Sequence, residues 1–102
     1  NHFLKKFYKL AKKTGAQLLL FKEANQTPSP NLRLFHTYLE NFADRNSIPI
    51  YDLHKYMQKE AKKDVGSIWW DDVHMTDFGQ SLMSDFISNA IARQPQMQKQ
   101  CF

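Results

Sequence analysis

The chain has 102 residues, 42% hydrophobic and 24% charged, a composition that bounds it to one globular domain and excludes a disordered or membranous class. Its longest strictly apolar run, Leu18-Leu19-Leu20-Phe21, is far short of the roughly 18 residues that a membrane-crossing helix needs. The net charge of +4 is concentrated at Lys5, Lys6, Lys9, Lys12 and Lys13, and elsewhere acids and bases nearly balance. This reads as one solvated helix face. No zinc-finger spacing or RNA-binding aromatic signature accompanies it, so no nucleic-acid partner is expected.

In chain order, residues 2–14 read as an amphipathic helix. Phe3, Leu4, Phe7, Leu10 and Ala11 recur at helical spacing, lysines fill the other face, and Gly15 stops the helix. Residues 16–22 read as a strand whose continuous apolar run predicts burial on both faces. Residues 23–30 form a loop containing Pro28 and Pro30. A second helix is predicted over 30–45, with Ser29 as N-cap, Pro30 in the first turn, and Leu32, Leu34, Phe35, Tyr38, Leu39 and Phe42 on its apolar side. Ile48-Pro49-Ile50-Tyr51 is the second strand. Because Pro49 lacks a donor, this strand either lies at an edge or starts there. Asp52 caps a third helix over 53–62, with Leu53, Tyr56 and Met57 inward. Residues 63–67 are a polar connection, followed by the short apolar Ile68-Trp69-Trp70. Thr76 or Asp77 opens a final helix to about Arg93, with Phe78, Leu82, Phe86, Ile87 and Ile91 as its buried stripe.

Strands alternating with helices predict βαβ units, a right-handed crossover and a parallel sheet. Two strands are few for a sheet covered on both sides, so residues 1–93 read as the C-terminal half of a doubly wound α/β domain, and 94–102 as a frayed polar tail. The chain begins with Asn1, which fits a processed or excerpted sequence and makes the lack of a leader uninformative. The one cysteine, Cys101, has no partner within the chain for a disulfide, and on such a tail it would be a poorly positioned nucleophile.

The chemistry is concentrated in Trp69-Trp70-Asp71-Asp72-Val73-His74-Met75-Thr76-Asp77-Phe78-Gly79. A histidine base needs its ring oriented and its imidazolium stabilised, and a carboxylate on one ring nitrogen does both. Asp71 stands three residues before His74, on a loop that feeds a helix. Asp72 is one position off that spacing and secondary. Adjacent Trp69 and Trp70 point to opposite sides, one into the core and the other to a pocket wall. His2, His36 and His54 share no spacing with His74, and His54 reads as a surface residue. Asp71, Asp72 and His74 crowd into too few residues to close a metal geometry without a distant fourth ligand, so no metal is assigned.

The pattern Asp-x-x-His-x-Thr-x-x-Gly, ahead of a C-terminal helix, resembles the last signature block of the SGNH or GDSL hydrolases. Ile48-Pro49-Ile50-Tyr51-Asp52 is similar to the strand and turn that precede that block. The resemblance implies a flavodoxin-like three-layer α/β/α fold and a serine esterase or lipase activity through an acyl-enzyme. His74 is then the catalytic base and Asp71 its orienting acid, with Thr76 capping the final helix and Gly79 allowing close packing. It implies an ester substrate (a lipid, an acetylated carbohydrate or a small acyl ester), no cofactor and, since relatives are often exported, a lean towards a secreted or periplasmic site. The family's Gly-Asp-Ser block and its two oxyanion blocks have no counterpart here, and none of Ser29, Ser47, Ser67, Ser81, Ser84 and Ser88 sits in such a motif. The nucleophile is therefore expected on the remainder of the domain, and the 102-residue chain alone is expected to be inactive. A non-catalytic α/β interaction module and an acyltransferase on the same fold are the alternative readings.

Overall fold

The computed structural model describes residues 2–95. It runs α1 (His2–Thr14), β1 (Leu20–Phe21), α2 (Pro30–Asn46), β2 (Ile50–Tyr51), α3 (Leu53–Ala61), α4 (Val65–Ile68) and α5 (Asp77–Ala92).

Local chemistry sets the helix ends as expected. Ser29 Oγ accepts from the Leu32 N–H at 3.1 Å and Asp52 Oδ1 from the Lys55 N–H at 2.8 Å, each satisfying an orphan donor of a first turn. Gly15, at φ 76°, ends α1 in the left-handed region that a side chain would disfavour. Ser47 takes the same conformation at φ 53° and closes α2, letting the Ile48 N–H reach back to the Ala43 carbonyl at 2.9 Å. The four-residue α4, capped by Asp64, lies where the sequence reads as a polar connection and a short apolar run.

The doubly wound, three-layer α/β/α architecture is not found. The described residues are 64% helical, and their sheet is two parallel strands paired Leu20 to Ile50 and Phe21 to Tyr51. The reason lies in the second strand. Pro49 offers only its carbonyl, which accepts from the Leu20 N–H at 3.0 Å, and Asp52 already turns the chain as the cap of α3. Only Ile50 and Tyr51 remain to pair. The first strand, expected over 16–22, is thereby limited to two residues. Of its apolar run Leu20 alone is buried, so burial on both faces is not found either.

Apolar side chains gather in two clusters. The first joins Leu20, Leu39, Phe42, Ala43 and Ile48, with Leu4 and Tyr8 of α1 against it. The second joins Ala24, Leu53, Met57, Ile68 and Trp69, with Leu82, Met83 and Phe86 of α5 against it. Aromatic rings run from the two strands to the second cluster: Phe21 stacks on Tyr51 at 5.5 Å between centroids and meets Phe86 edge-on at 6.5 Å, while Phe86 also touches Tyr56. Two helices keep part of the expected face, Leu39 and Phe42 in α2 and Leu82 and Phe86 in α5, and lose the rest. Leu34 and Phe35 of α2 are exposed, and His36 and Ala43 take inward places beside Leu39 and Phe42. In α5 Phe78 and Ile91 are exposed, and the buried positions are the small Gly79 and Ala90. Gln94, assigned to the frayed tail, is instead buried, its amide donating to Tyr51 Oη and, at 3.1 Å, to the Ala90 carbonyl. Cys101 and most of the predicted tail lie outside the described residues.

Candidate functional site: an oriented Asp–His pair on a clamped loop

The loop between α4 and α5 is held at both ends. The Trp70 N–H donates to the His74 carbonyl at 2.8 Å, and Trp69 and Met75 form an antiparallel bridge, so residues 69–75 make a small hairpin. At its base the Thr76 N–H donates to the Ile68 carbonyl at 2.9 Å. Thr76 Oγ1 donates to the Ser67 carbonyl at 2.5 Å and accepts from the Gly79 N–H at 3.1 Å. One threonine thus caps α5 and ties it to α4. On the outer side the Gln26 N–H donates to the Asp72 carbonyl at 2.8 Å, anchoring the loop to the segment after β1. Asp72 enters the structure through that carbonyl. Of the two tryptophans Trp69 is buried in the core and Trp70 is 76% exposed, the division expected of adjacent residues, but Trp70 is not among the residues that line the cleft at His74, so the expected pocket wall is not found there.

Within the hairpin, Asp71 faces back onto its own turn. Its Oδ1 accepts from the Val73 N–H at 2.9 Å and the His74 N–H at 2.8 Å. The same carboxylate meets His74 Nδ1, at 2.9 Å from Oδ1 and 2.8 Å from Oδ2. These two backbone donors, followed by the imidazole, hold the Asp71 carboxyl down at about 2. An ionised carboxylate only accepts, so the shared proton lies on Nδ1 and the lone pair of the neutral ring lies on Nε2. Among the described residues Nε2 has no hydrogen-bond partner, and the His74 side chain is 73% exposed. It stands at the rim of an open cleft of about 280 Å³ lined by Val73, His74, Met75, Gln80 and Met83. The arrangement is an imidazole with its ring direction fixed by a carboxylate, beside a mostly apolar recess.

Asp71 and His74 are therefore brought together as the sequence pattern anticipates. No hydroxyl among the described residues hydrogen-bonds with His74; the Ser67 hydroxyl donates instead to the Asp64 carbonyl at 2.8 Å. Among those residues, too, no group of three or more histidine, cysteine, aspartate or glutamate side chains is placed to hold a metal ion. No described helix is long and apolar enough to cross a membrane.

A second pair of histidines escaped the sequence reading. His36 on α2 and His54 on α3 face each other with 5.3 Å between ring centroids. His36 is buried with Nε2 unpartnered, and His54 Nδ1 accepts from the Asn25 N–H at 3.4 Å. Burial, then the neighbouring His36, push the His54 pKa down, against the attraction of Asp52. His54 is thus a half-buried contact and not the surface residue expected. The available signal was His36 itself, one turn before Leu39 and two before Ala43 on the inner side of α2. Lys22 completes this polar seam by pairing with Glu40 and, at 3.3 Å, with Asp52.

Comparisons of the chain with protein-family models, with curated proteins and with solved structures found no match.

Proposed function

We propose that the chain supplies the acid–base pair of an SGNH-type ester hydrolase, with His74 as general base and Asp71 as the residue that orients it. The carrying observation is the double contact of the Asp71 carboxylate with His74 Nδ1, at 2.8 and 2.9 Å, which leaves the other ring nitrogen available on a side chain that lines an open cleft. The support is local. It comes from the clamped hairpin and the Asp-x-x-His-x-Thr-x-x-Gly pattern, and not from the two-stranded sheet.

In this reading His74 Nε2 removes the proton from a serine hydroxyl, and the oxygen attacks the ester carbonyl. The imidazolium, stabilised by Asp71, returns the proton to the leaving alcohol. Water, deprotonated by the same nitrogen, then releases the acid from the acyl-enzyme. The serine and the donors that hold the oxyanion lie outside residues 2–95. The apolar part of the cleft, Val73, Met75 and Met83, suits the acyl side of the ester.

The test uses a longer protein containing this chain. It is expected to be labelled by a fluorophosphonate and to cleave an activated acetate ester, and His74→Ala is expected to abolish turnover with an unchanged circular-dichroism spectrum. Full turnover in that variant refutes the assignment. The 102-residue chain alone is expected to show no hydrolysis.

A further inference from the structure

We propose that α1 docks on an anionic membrane surface, independently of the hydrolase reading. The helix contains no acid, carries Lys5, Lys6, Lys9, Lys12 and Lys13, and has no buried residue, so it lies on the outside of the body. One edge of its apolar arc, Leu4 and Tyr8, rests on the first core cluster, with the Tyr8 ring edge-on to Phe42 at 5.8 Å. The other edge faces outward: Phe3, whose ring also meets His2 edge-on at 5.8 Å, Phe7 and Leu10 are 69%, 61% and 55% exposed. Their spacing of four and three residues aligns them in a stripe about 10 Å long, at 1.5 Å of rise per residue. At 100° per residue Lys6 and Lys13 border the stripe, while Lys5, Lys9 and Lys12 continue the cationic arc around the helix.

Charge and area decide the occupant. A second copy would bring two such lysine arcs together with no acid on either helix, so self-association through α1 is repulsive. A stable protein partner would need about 800 Å² from each side, more than three side chains on one helix present. A bilayer interface asks for neither a matching surface nor a matching shape. Phenylalanine and leucine enter the headgroup and acyl boundary, and the flanking lysines reach lipid phosphates along their own methylene stems. Lysines without acids select an anionic surface over a neutral one.

Co-sedimentation of the 102-residue chain with vesicles tests this. Vesicles containing about 30% phosphatidylserine are expected to bind it at least about tenfold more strongly than pure phosphatidylcholine, the preference shrinking as salt rises. Phe7→Ser with Leu10→Ser, and separately Lys6→Glu with Lys13→Glu, are each expected to weaken binding about tenfold or more. The lysine pair lies in solvent and keeps the test valid even where the apolar pair perturbs the fold. Equal binding to both vesicle types, binding to neither, undiminished binding in the lysine variant, or a dimer in ultracentrifugation that the apolar pair abolishes would overturn the proposal.

Discussion

Gly79→Ala is the sharpest probe of how the site is built. Gly79 sits in the first turn of α5, directly against the end of α4. A Cβ placed there would lie 2.4 Å from the Ile68 carbonyl oxygen and 3.2 Å from both Ile68 C and Cγ2. Ordinary contact begins near 3.4 Å, so a gap of about 1 Å must open between two backbones. Neither yields easily, because Ile68 is buried and its carbonyl already accepts from the Thr76 N–H at 2.9 Å. Overpacking of this kind costs about 1–3 kcal/mol, and alanine's better helix propensity returns at most about 1 kcal/mol. A net loss of about 1–2 kcal/mol is expected in urea unfolding, at unchanged slope. Gly66→Ala is the internal control: its Cβ would meet only Asp64 Oδ1, at an ordinary 3.6 Å, so stability should stay within about 0.5 kcal/mol or rise slightly. Gly79→Ala at or above wild-type stability would show that α5 does not press on Ile68. The support inferred for the His74 loop would fall with it.

Three further outcomes follow from the same geometry. Thr76→Val removes the cap on the Gly79 N–H and the bond to the Ser67 carbonyl while keeping the volume, and is expected to cost about 1–2 kcal/mol in denaturant unfolding. The Asp71 carboxyl, lowered from 3.8 to about 2, contributes stability that is present above 3.8 and lost as pH falls through about 2; its carbon resonance should titrate near 2, and a midpoint near 4 would deny the triple acceptance by this carboxylate. His54, lowered from 6.5, is charged less readily in the folded chain than in the unfolded one, so stability should be full above 6.5 and decline as pH falls below it; His54→Gln should flatten that decline in thermal melts recorded across this range.

What the sequence made legible was local. The caps Ser29, Asp52 and Thr76 act within three residues of themselves, and all three hold as read. The Asp71–His74 pair is likewise a contact between near neighbours on one turn. What failed was non-local. The length of a strand depends on the partner it finds, and the run at 16–22 meets a partner with two residues to offer. The inward face of a helix depends on what packs against it. In α5 Leu82 and Phe86 of the expected stripe do pack on the second cluster, but the close approach of Ile68 favours Gly79 over the larger neighbouring Phe78, so hydrophobicity alone misplaced the ends of the stripe. The His36–His54 contact joins two helices across 18 positions of sequence and leaves no spacing to read.

The same distinction explains why the site survives the loss of the expected architecture. A triad drawn from distant strands needs the whole sheet to place it. Here Asp71 and His74 share one hairpin, and the turn amides of Val73 and His74 hold the carboxylate through local hydrogen bonds alone. The fold adds the clamps: Thr76 below, through the Ser67 and Ile68 carbonyls, and Gln26 outside, through the Asp72 carbonyl. The clamps set where His74 Nε2 stands relative to the cleft, while Asp71 sets which nitrogen carries the proton. Asp71→Asn separates the two. An amide keeps the shape of the turn but can present its NH₂ to Nδ1, which moves the imidazole proton to Nε2 and removes the free lone pair. Nitrogen-resolved NMR of the His74 ring is therefore expected to show the Nδ1–H form in the native chain and a shift to Nε2–H in Asp71→Asn. An unchanged tautomer would mean that the carboxylate holds the loop without directing the base.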